Sequence, residues 1–320
     1  MRLTKGLTLA LWVGFIITLP LSTHAEEGGS GHYTPGGNAS FIDELPPNPG
    51  LAIANYFNFY DGSANASKRL SSGGLITAGL DATAYSDTIV AFYKTPLRLL
   101  GGYYAVAVAL PYVWVRAKGE VTDPLGNTST KRDSASGIGD ILFYPFMLGW
   151  TGLGGDLKSD VRLGIYAPTG DYDKGELANV GKNYWTFEPA ASLSYVSSKR
   201  GLELTAFAGM DFNTENHKTD YQSGTQFHLD VTIAEHLPLL GGLFGIGASG
   251  FYYQQISGDS GSGATLGDFK GRTVGIGPVL SYATKIWGKD VAAELKWLPE
   301  IEVKNRLEGD YIWFKLAMAF

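Results

Sequence analysis

The chain is 320 residues long with a formal charge of −6, and it contains no cysteine, which excludes a disulfide framework, thiol chemistry and cysteine-held metal. Its 43 Gly, 18 Tyr, 16 Phe and 7 Trp stand against only 18% charged residues, where a soluble domain usually carries about 25%. The acidic balance makes a nucleic-acid partner unexpected.

The first residues are Met1, Arg2 and Lys5, followed by an apolar run over 7–21 and then Ser22, Thr23, His24 and Ala25. A positive start, a short apolar core and a small residue at the cut describe a secretory signal peptide over 1–25. Cleavage after Ala25 removes Arg2 and Lys5 and takes the charge from −6 to −8. Beyond it no stretch has the roughly 18 apolar residues of a spanning helix. A membrane-embedded chain must therefore close into a barrel, because hydrocarbon satisfies no backbone hydrogen bonds.

Residues 26–49 are rich in Gly and Pro and carry a few apolar side chains, Tyr33, Phe41, Ile42 and Leu45. Composition alone fits a solvated tail. The apolar residues fit instead a segment folded back into a barrel, and on that reading these four form a lumen plug.

From 50 onward the chain breaks into segments of about ten residues, the length of a tilted membrane strand. The expected strands are 51–60, 82–95, 102–116, 137–149, 158–167, 183–196, 201–213, 222–235, 242–255, 272–283, 290–301 and 310–320. Alternation is clearest in the middle. Leu202, Leu204, Ala206, Ala208, Met210 and Phe212 oppose Glu203, Thr205, Phe207, Gly209, Asp211 and Asn213, the period of a strand with unlike faces. In the last segment Ile312, Phe314, Leu316, Met318 and Phe320 share one parity, a lipid-facing row ending on an interfacial aromatic. Connections alternate long and short around the chain, as in outer-membrane barrels. The expected fold is all-β, a transmembrane antiparallel up-and-down barrel of about 12 strands over 50–320 with an N-terminal lumen segment.

Few motifs point to chemistry. Gly258-Asp259-Ser260-Gly261 has the form of a serine-protease nucleophile box but lacks a recognisable His and Asp. Gly245, Gly247 and Gly250 form G-x-G-x-x-G with no helix to follow, so close backbone approach is the expectation. The five histidines show no ligand spacing with one another, and neither a metal nor a cofactor is expected. No outward set holds a Ser and His pair, which argues against a lipid hydrolase. A hydroxyl beside His228 or another histidine would restore that alternative.

The charges placed on the inner face are Arg162, Glu188, Glu203, Asp211, His228, Asp230, Glu294, Lys296 and Lys315. They either pair across the lumen or line a path that weakly favours cations. Pro111, Pro145, Pro189, Pro278 and Pro299 fall inside or at the ends of strands, and each removes one ladder hydrogen bond. They mark either curvature-setting bulges or, at Pro111, Pro145, Pro189 and Pro278, a lateral opening of the wall.

Read together, the stretch from Gly29 to Gly50, Gly137-Ile138-Gly139-Asp140 with Pro145, the corner Ala167 to Tyr172, and Asp220 to Gly224 resemble the outer-membrane channel family labelled as involved in the meta-pathway of phenol degradation. The resemblance implies a twelve-stranded barrel occluded by its N-terminal segment, with uptake of hydrophobic small molecules. The expected protein is a monomer of the bacterial outer membrane whose partners are outer-membrane lipid and small hydrophobic solutes. A general channel for hydrophilic solutes, a barrel enzyme acting on lipid, and a structural surface protein are the alternatives.

Overall fold

The computed structural model describes residues 26–46, 48–65, 68–122, 127–267 and 270–320; the expected signal peptide lies outside them. Among the described residues the strands are β1 (Gly50–Ser63), β2 (Arg69–Ser72), β3 (Leu75–Leu99), β4 (Gly102–Thr122), β5 (Thr128–Ile138), β6 (Ile141–Gly152) and β7 (Leu157–Ala167). They continue with β8 (Thr186–Val196), β9 (Leu202–Asn213), β10 (Gln226–Leu239), β11 (Gly242–Gln255), β12 (Arg272–Ile286), β13 (Lys289–Lys304) and β14 (Glu308–Ala319).

Twelve of these form a closed antiparallel ring in the order β1, β3, β4, β6 to β14, and back to β1. The seam runs from Ala52 opposite Ala319 to Ser63 opposite Glu308. Closure leaves no free edge in the ring, which is what hydrocarbon demands. β2 pairs with the start of β3, and β5 with the end of β4, so both add wall above the ring.

Alternation along the strands separates two environments. On β8 to β10 the outward Phe187, Leu193, Leu204, Val231 and Ile233 are exposed, while the intervening Glu188, Glu203, Asp211, His228 and Asp230 are buried. On β14, Phe314 and Leu316 face out and Trp313 and Lys315 face in. An exposed apolar band around a charged interior is inside-out for water and correct for a bilayer.

Segments expected to be long loops turn out to hold strand. Residues 61–81 contain the end of β1, β2 and the start of β3, and 117–136 contain the end of β4 and most of β5. Polar composition hid them, because above the bilayer both faces of a strand meet water or loop and no alternation is required. At the other end the turns are tighter than expected. Leu100-Gly101, Leu240-Gly241 and Trp287-Gly288 each have two residues at positive φ, between 50° and 78°. That is the two-residue hairpin geometry whose twist matches the strands, here with Leu or Trp where Asn or Asp is usual.

Candidate functional site

Residues 26–46 run inside the ring, from the long-loop end down to Gly50 at the turn end. At the top, Glu26 pairs with Arg306, and Glu27 accepts from Tyr172 (2.7 Å) and Asn216 (2.9 Å). Midway, the Gly36 and Asn38 N–H groups donate to Asp230 (3.2 and 2.9 Å), Lys296 donates to the Asn38 carbonyl (2.8 Å), and the Trp313 indole donates to the Pro35 carbonyl (3.0 Å). Lower down, the Phe41 N–H donates to Glu203 (2.9 Å), Lys315 donates to both oxygens of Asp43 (2.9 and 2.8 Å), and Lys158 pairs with Glu44. The partners belong to strands on opposite sides of the ring, so the segment crosses the lumen. A backbone without regular secondary structure survives at this depth because wall charges satisfy its N–H and C=O groups.

Of the four residues expected to form the plug, Tyr33 is buried and stacks on His228 with ring centroids 3.6 Å apart. Phe41 lies edge-on to His236 at 5.1 Å. Leu45 packs against the apolar inner face of β1, β3 and β4, over Gly149 where a Cβ would meet it at 2.6 Å. Ile42 caps no cavity; its N–H donates to Ser40 in a single 3-10 turn.

All nine inner-face charges named from the sequence are buried. Arg162 makes a two-pronged contact with Asp160 (2.7 Å for each prong). Glu203 bonds His236 (2.6 Å), and Glu294 sits 3.5 Å from Lys296 and 3.2 Å from Lys315. Glu188 and Asp211 gather around His228 at 3.2 and 3.6 Å. Most of these groups hold either the N-terminal segment or one another, rather than standing free along a path. Sequence reasoning missed the partners on loops and on the segment itself, Asp43, Glu44, His32, Asp140 and Arg306. Alternation, its signal for an inward side chain, does not apply there.

The four prolines have different surroundings. Pro145 lies in a bulge where the register between β6 and β7 shifts from Phe143 to Phe146. Pro189 opposes Leu163, and Pro278 opposes Ala248, each without register change. Beside Pro278 and Pro299 the strands stay tightly apposed, since a Cβ on Gly277 would strike the Trp297 carbonyl. Pro111 is different. β4 pairs with β6 as far as Ala109 opposite Leu142 and resumes with β5 at Tyr112 opposite Ile138, so Gly139 and Asp140 interrupt the strand pairing beside Pro111, where one backbone bond, Gly139 N–H to the Pro111 carbonyl (3.0 Å), remains. The other edge of β5 has no strand partner among the described residues; the loop 168–182 lies against it.

Three sequence motifs converge at this break. The Thr169 hydroxyl donates to the Gly139 carbonyl and accepts from the Ile141 N–H, both at 3.0 Å. Asp140 accepts from the N–H groups of Gly170 (2.9 Å) and Lys182 (2.7 Å). Its second oxygen also lies 2.8 Å from His32 Nε2 of the luminal segment, whose Nδ1 is 2.6 Å from the Thr186 hydroxyl. One carboxylate thus ties the wall, the loop and the segment.

Between the segment and the wall is a cavity of about 390 Å³. Val90, Ala109, Pro111, Val113 and Leu142 form its apolar side, and Val180 of the loop closes it beside the break. The remaining motifs are structural. Asp259 of the protease-like box accepts from Gly224 (2.9 Å) and Gln255 (2.6 Å) and bonds Tyr221, clamping two loops, and burial pushes its carboxyl up to about 6. Gly245 and Gly247 allow close approach of His236 and of the Ile233 carbonyl.

The COG4313 outer membrane channel from Pseudomonas putida F1 has the same fold, with a TM-score of 0.61 at 14% identity over 87% of this chain and 97% of that one. The transport unit of the autotransporter AIDA-I from Escherichia coli matches at 0.46 and 9% identity over 88% and 93%. The beta domain of the Bordetella autotransporter BrkA matches at 0.44 and 13% over 85% and 100%. Comparison with curated proteins finds no match. The family model described as "Putative MetA-pathway of phenol degradation" matches residues 61–316. A closed barrel with an apolar outer band belongs in the bacterial outer membrane, and the chain is a member of this family of outer-membrane β-barrel channels.

Proposed function

We propose that the protein is a monomeric passive channel that admits small hydrophobic molecules, aromatic ones included, with its lumen occluded by residues 26–46 and a lateral exit at the Pro111, Gly139 and Asp140 break. The cavity carries this reading. It has the size of a small-molecule site, its wall side is apolar, and it adjoins the place where the strand pairing lapses between β5 and β6, leaving one backbone bond from Gly139 to Pro111 (3.0 Å) with side chains and a loop around it. A solute held there is one wall thickness from lipid, and the family description, naming phenol degradation, supports an aromatic cargo. Because Asp140 bonds both the segment and the loop, displacing the segment would loosen the exit.

The enzyme alternative meets a specific observation, because Thr186, His32 and Asp140 form a hydroxyl, imidazole and carboxylate chain. Thr186 is fully buried, its hydroxyl also donates to Asn213 (2.6 Å), and it does not line the cavity. A nucleophile that neither solute nor lipid reaches does no hydrolysis, so we read the chain as a latch.

Liposomes carrying the protein test the channel reading. We expect influx of a small aromatic to exceed that of protein-free liposomes while a sugar of similar size is excluded. Free passage of the sugar would establish a hydrophilic pore, and passage of neither would leave an enzyme or a structural protein.

A further inference from the structure

We propose that Glu188, Asp211 and His228 bind one divalent transition-metal ion of the zinc class inside the barrel. The three residues lie on β8, β9 and β10 and are 1%, 0% and 0% exposed. A ligating atom from each lies within 4.8 Å of the other two. Their carboxylate oxygens and ring nitrogens make no hydrogen bond of good geometry among the described residues; the contacts they have are with one another and, for Glu188, with the Tyr166 hydroxyl. Other luminal carboxylates are committed: Asp160 to Arg162, Glu203 to His236, Glu294 to two lysines, Asp230 to backbone N–H groups. Glu188 and Asp211 have only His228 as an ion-pair partner among the described residues. Two buried carboxylates around one imidazole keep a net negative charge even if that ring is protonated, and buried charge of one sign requires compensation.

The backbone is cut to fit the cluster. A Cβ on Gly209 would meet the His228 ring at 2.5 Å, and one on Gly164 would meet Glu188 at 2.7 Å. Gly209, on the intervening β9, lets the imidazole lean toward β8, while Gly164 on β7 leaves room for the second oxygen of Glu188 on the other side. The His228 ring is held between Tyr33 (3.6 Å, 11° between planes) and Phe207 (5.7 Å, 22°). Gln226, directly opposite Asp211 on the same inner face, is also fully buried with both amide atoms unpartnered. Its register makes it a fourth buried polar group on that stretch of the inner face.

One imidazole nitrogen with two carboxylates suits zinc or a neighbouring first-row ion; Ca²⁺ and Mg²⁺ prefer oxygen-only sets. The ion would cross-brace three strands at the depth where Tyr33 stacks. Histidine spacing gave no hint, since only one histidine takes part.

The test uses untagged protein extracted from outer membranes, equilibrated with Zn²⁺ and desalted, its metal counted by mass spectrometry. We expect stoichiometric zinc retained by the wild type and lost in His228→Gln and Asp211→Asn, with native fold checked by heat-modifiable migration. Replacement by Co²⁺ should give visible d–d bands that the variants lack. If a variant fails to fold, a wild-type crystal measured at the zinc edge decides, with an anomalous peak expected among the three side chains. Folded wild type without stoichiometric metal, a peak elsewhere, or undiminished zinc in a folded variant overturns the proposal.

Discussion

The two halves of the barrel treat the N-terminal segment differently. The inner face of β8 to β10 with β13 and β14 is charged, and Glu203, Asp230, Lys296 and Lys315 bond the segment directly. The inner face of β1, β3 and β4 is mostly apolar, built from Ala52, Ala54, Val90, Phe92, Ala105, Ala107 and Ala109, and bonds the segment through Tyr56 to Asp43 (2.9 Å) and Lys94 to the Pro46 carbonyl (2.7 Å). Small side chains there leave space, and the cavity lies on that side. Its wall is also irregular, with register shifts in the β3–β4 and β4–β6 pairings and the interruption at Gly139 and Asp140, against a single shift in the β12–β13 pairing on the charged side. One half therefore grips along most of the segment, and the other half grips only its lower end and makes room above it. Charged groups fix a segment because each bond lost inside leaves a buried charge unpaired, whereas an apolar face imposes no such geometry on what passes it.

Four measurements break or sharpen this contrast. The largest effect is expected on the gripping half. Lys315→Met removes the ammonium shared by Asp43 and Glu294, leaving them Tyr56 and the more distant Lys296, a loss of about 3–5 kcal/mol for a broken buried pair. Guanidinium unfolding in detergent should show it, and sugar influx into liposomes should appear as the segment loosens. Unchanged stability together with continued sugar exclusion would show that the grip lies elsewhere.

Next, Ile233→Arg places a charge on the lipid face, where Ile233 is 58% exposed, at a cost of about 2–4 kcal/mol near the bilayer midplane. Folding yield into vesicles reads it. The same substitution at Ser134, which is exposed on β5 above the ring, should be tolerated.

On the other half, Asp140→Asn weakens the charge-assisted bonds to His32, Gly170 and Lys182, by about 1.5–3 kcal/mol. It should raise aromatic influx while the sugar stays excluded. A matched rise for both solutes would point to a general pore.

The smallest effect concerns the loop clamp. Burial raises the Asp259 carboxyl to about 6, so the folded state holds a proton that the unfolded chain releases near its ordinary value. Its contribution is present in full below the unfolded pKa and is lost as pH rises through about 6. Hydrogen exchange in residues 256–267 should therefore be slower, relative to its intrinsic rate, at pH 5 than at pH 7.5. Asp259→Asn should flatten that difference, and a wild type with no such difference would remove the clamp's titration.

Part of this was legible in the sequence. Strands such as β9 and β14 were readable because lipid outside and charge inside impose strict alternation; Glu203, Asp211 and Lys315, expected on the inner face for the same reason, are buried. β5 was not readable, since above the bilayer neither face is constrained. The Leu-Gly and Trp-Gly turns were read too long, because positive φ at Leu100, Leu240 and Trp287 has no signature in those residue types.

By itself, then, the sequence determined that the chain is a closed membrane barrel with an apolar and a charged face on its clearest strands, because the bilayer enforces a period of two on a spanning strand. Only the tertiary structure decided which side chains meet. Asp140 with His32 is a contact across 108 residues, and Lys315 with Asp43 one across 272. Glu188, Asp211 and His228 converge on adjacent strands, with Gly209 leaving the His228 ring room to lean across β9. Such pairings follow from ring closure and from the path of the luminal segment, which no local pattern encodes.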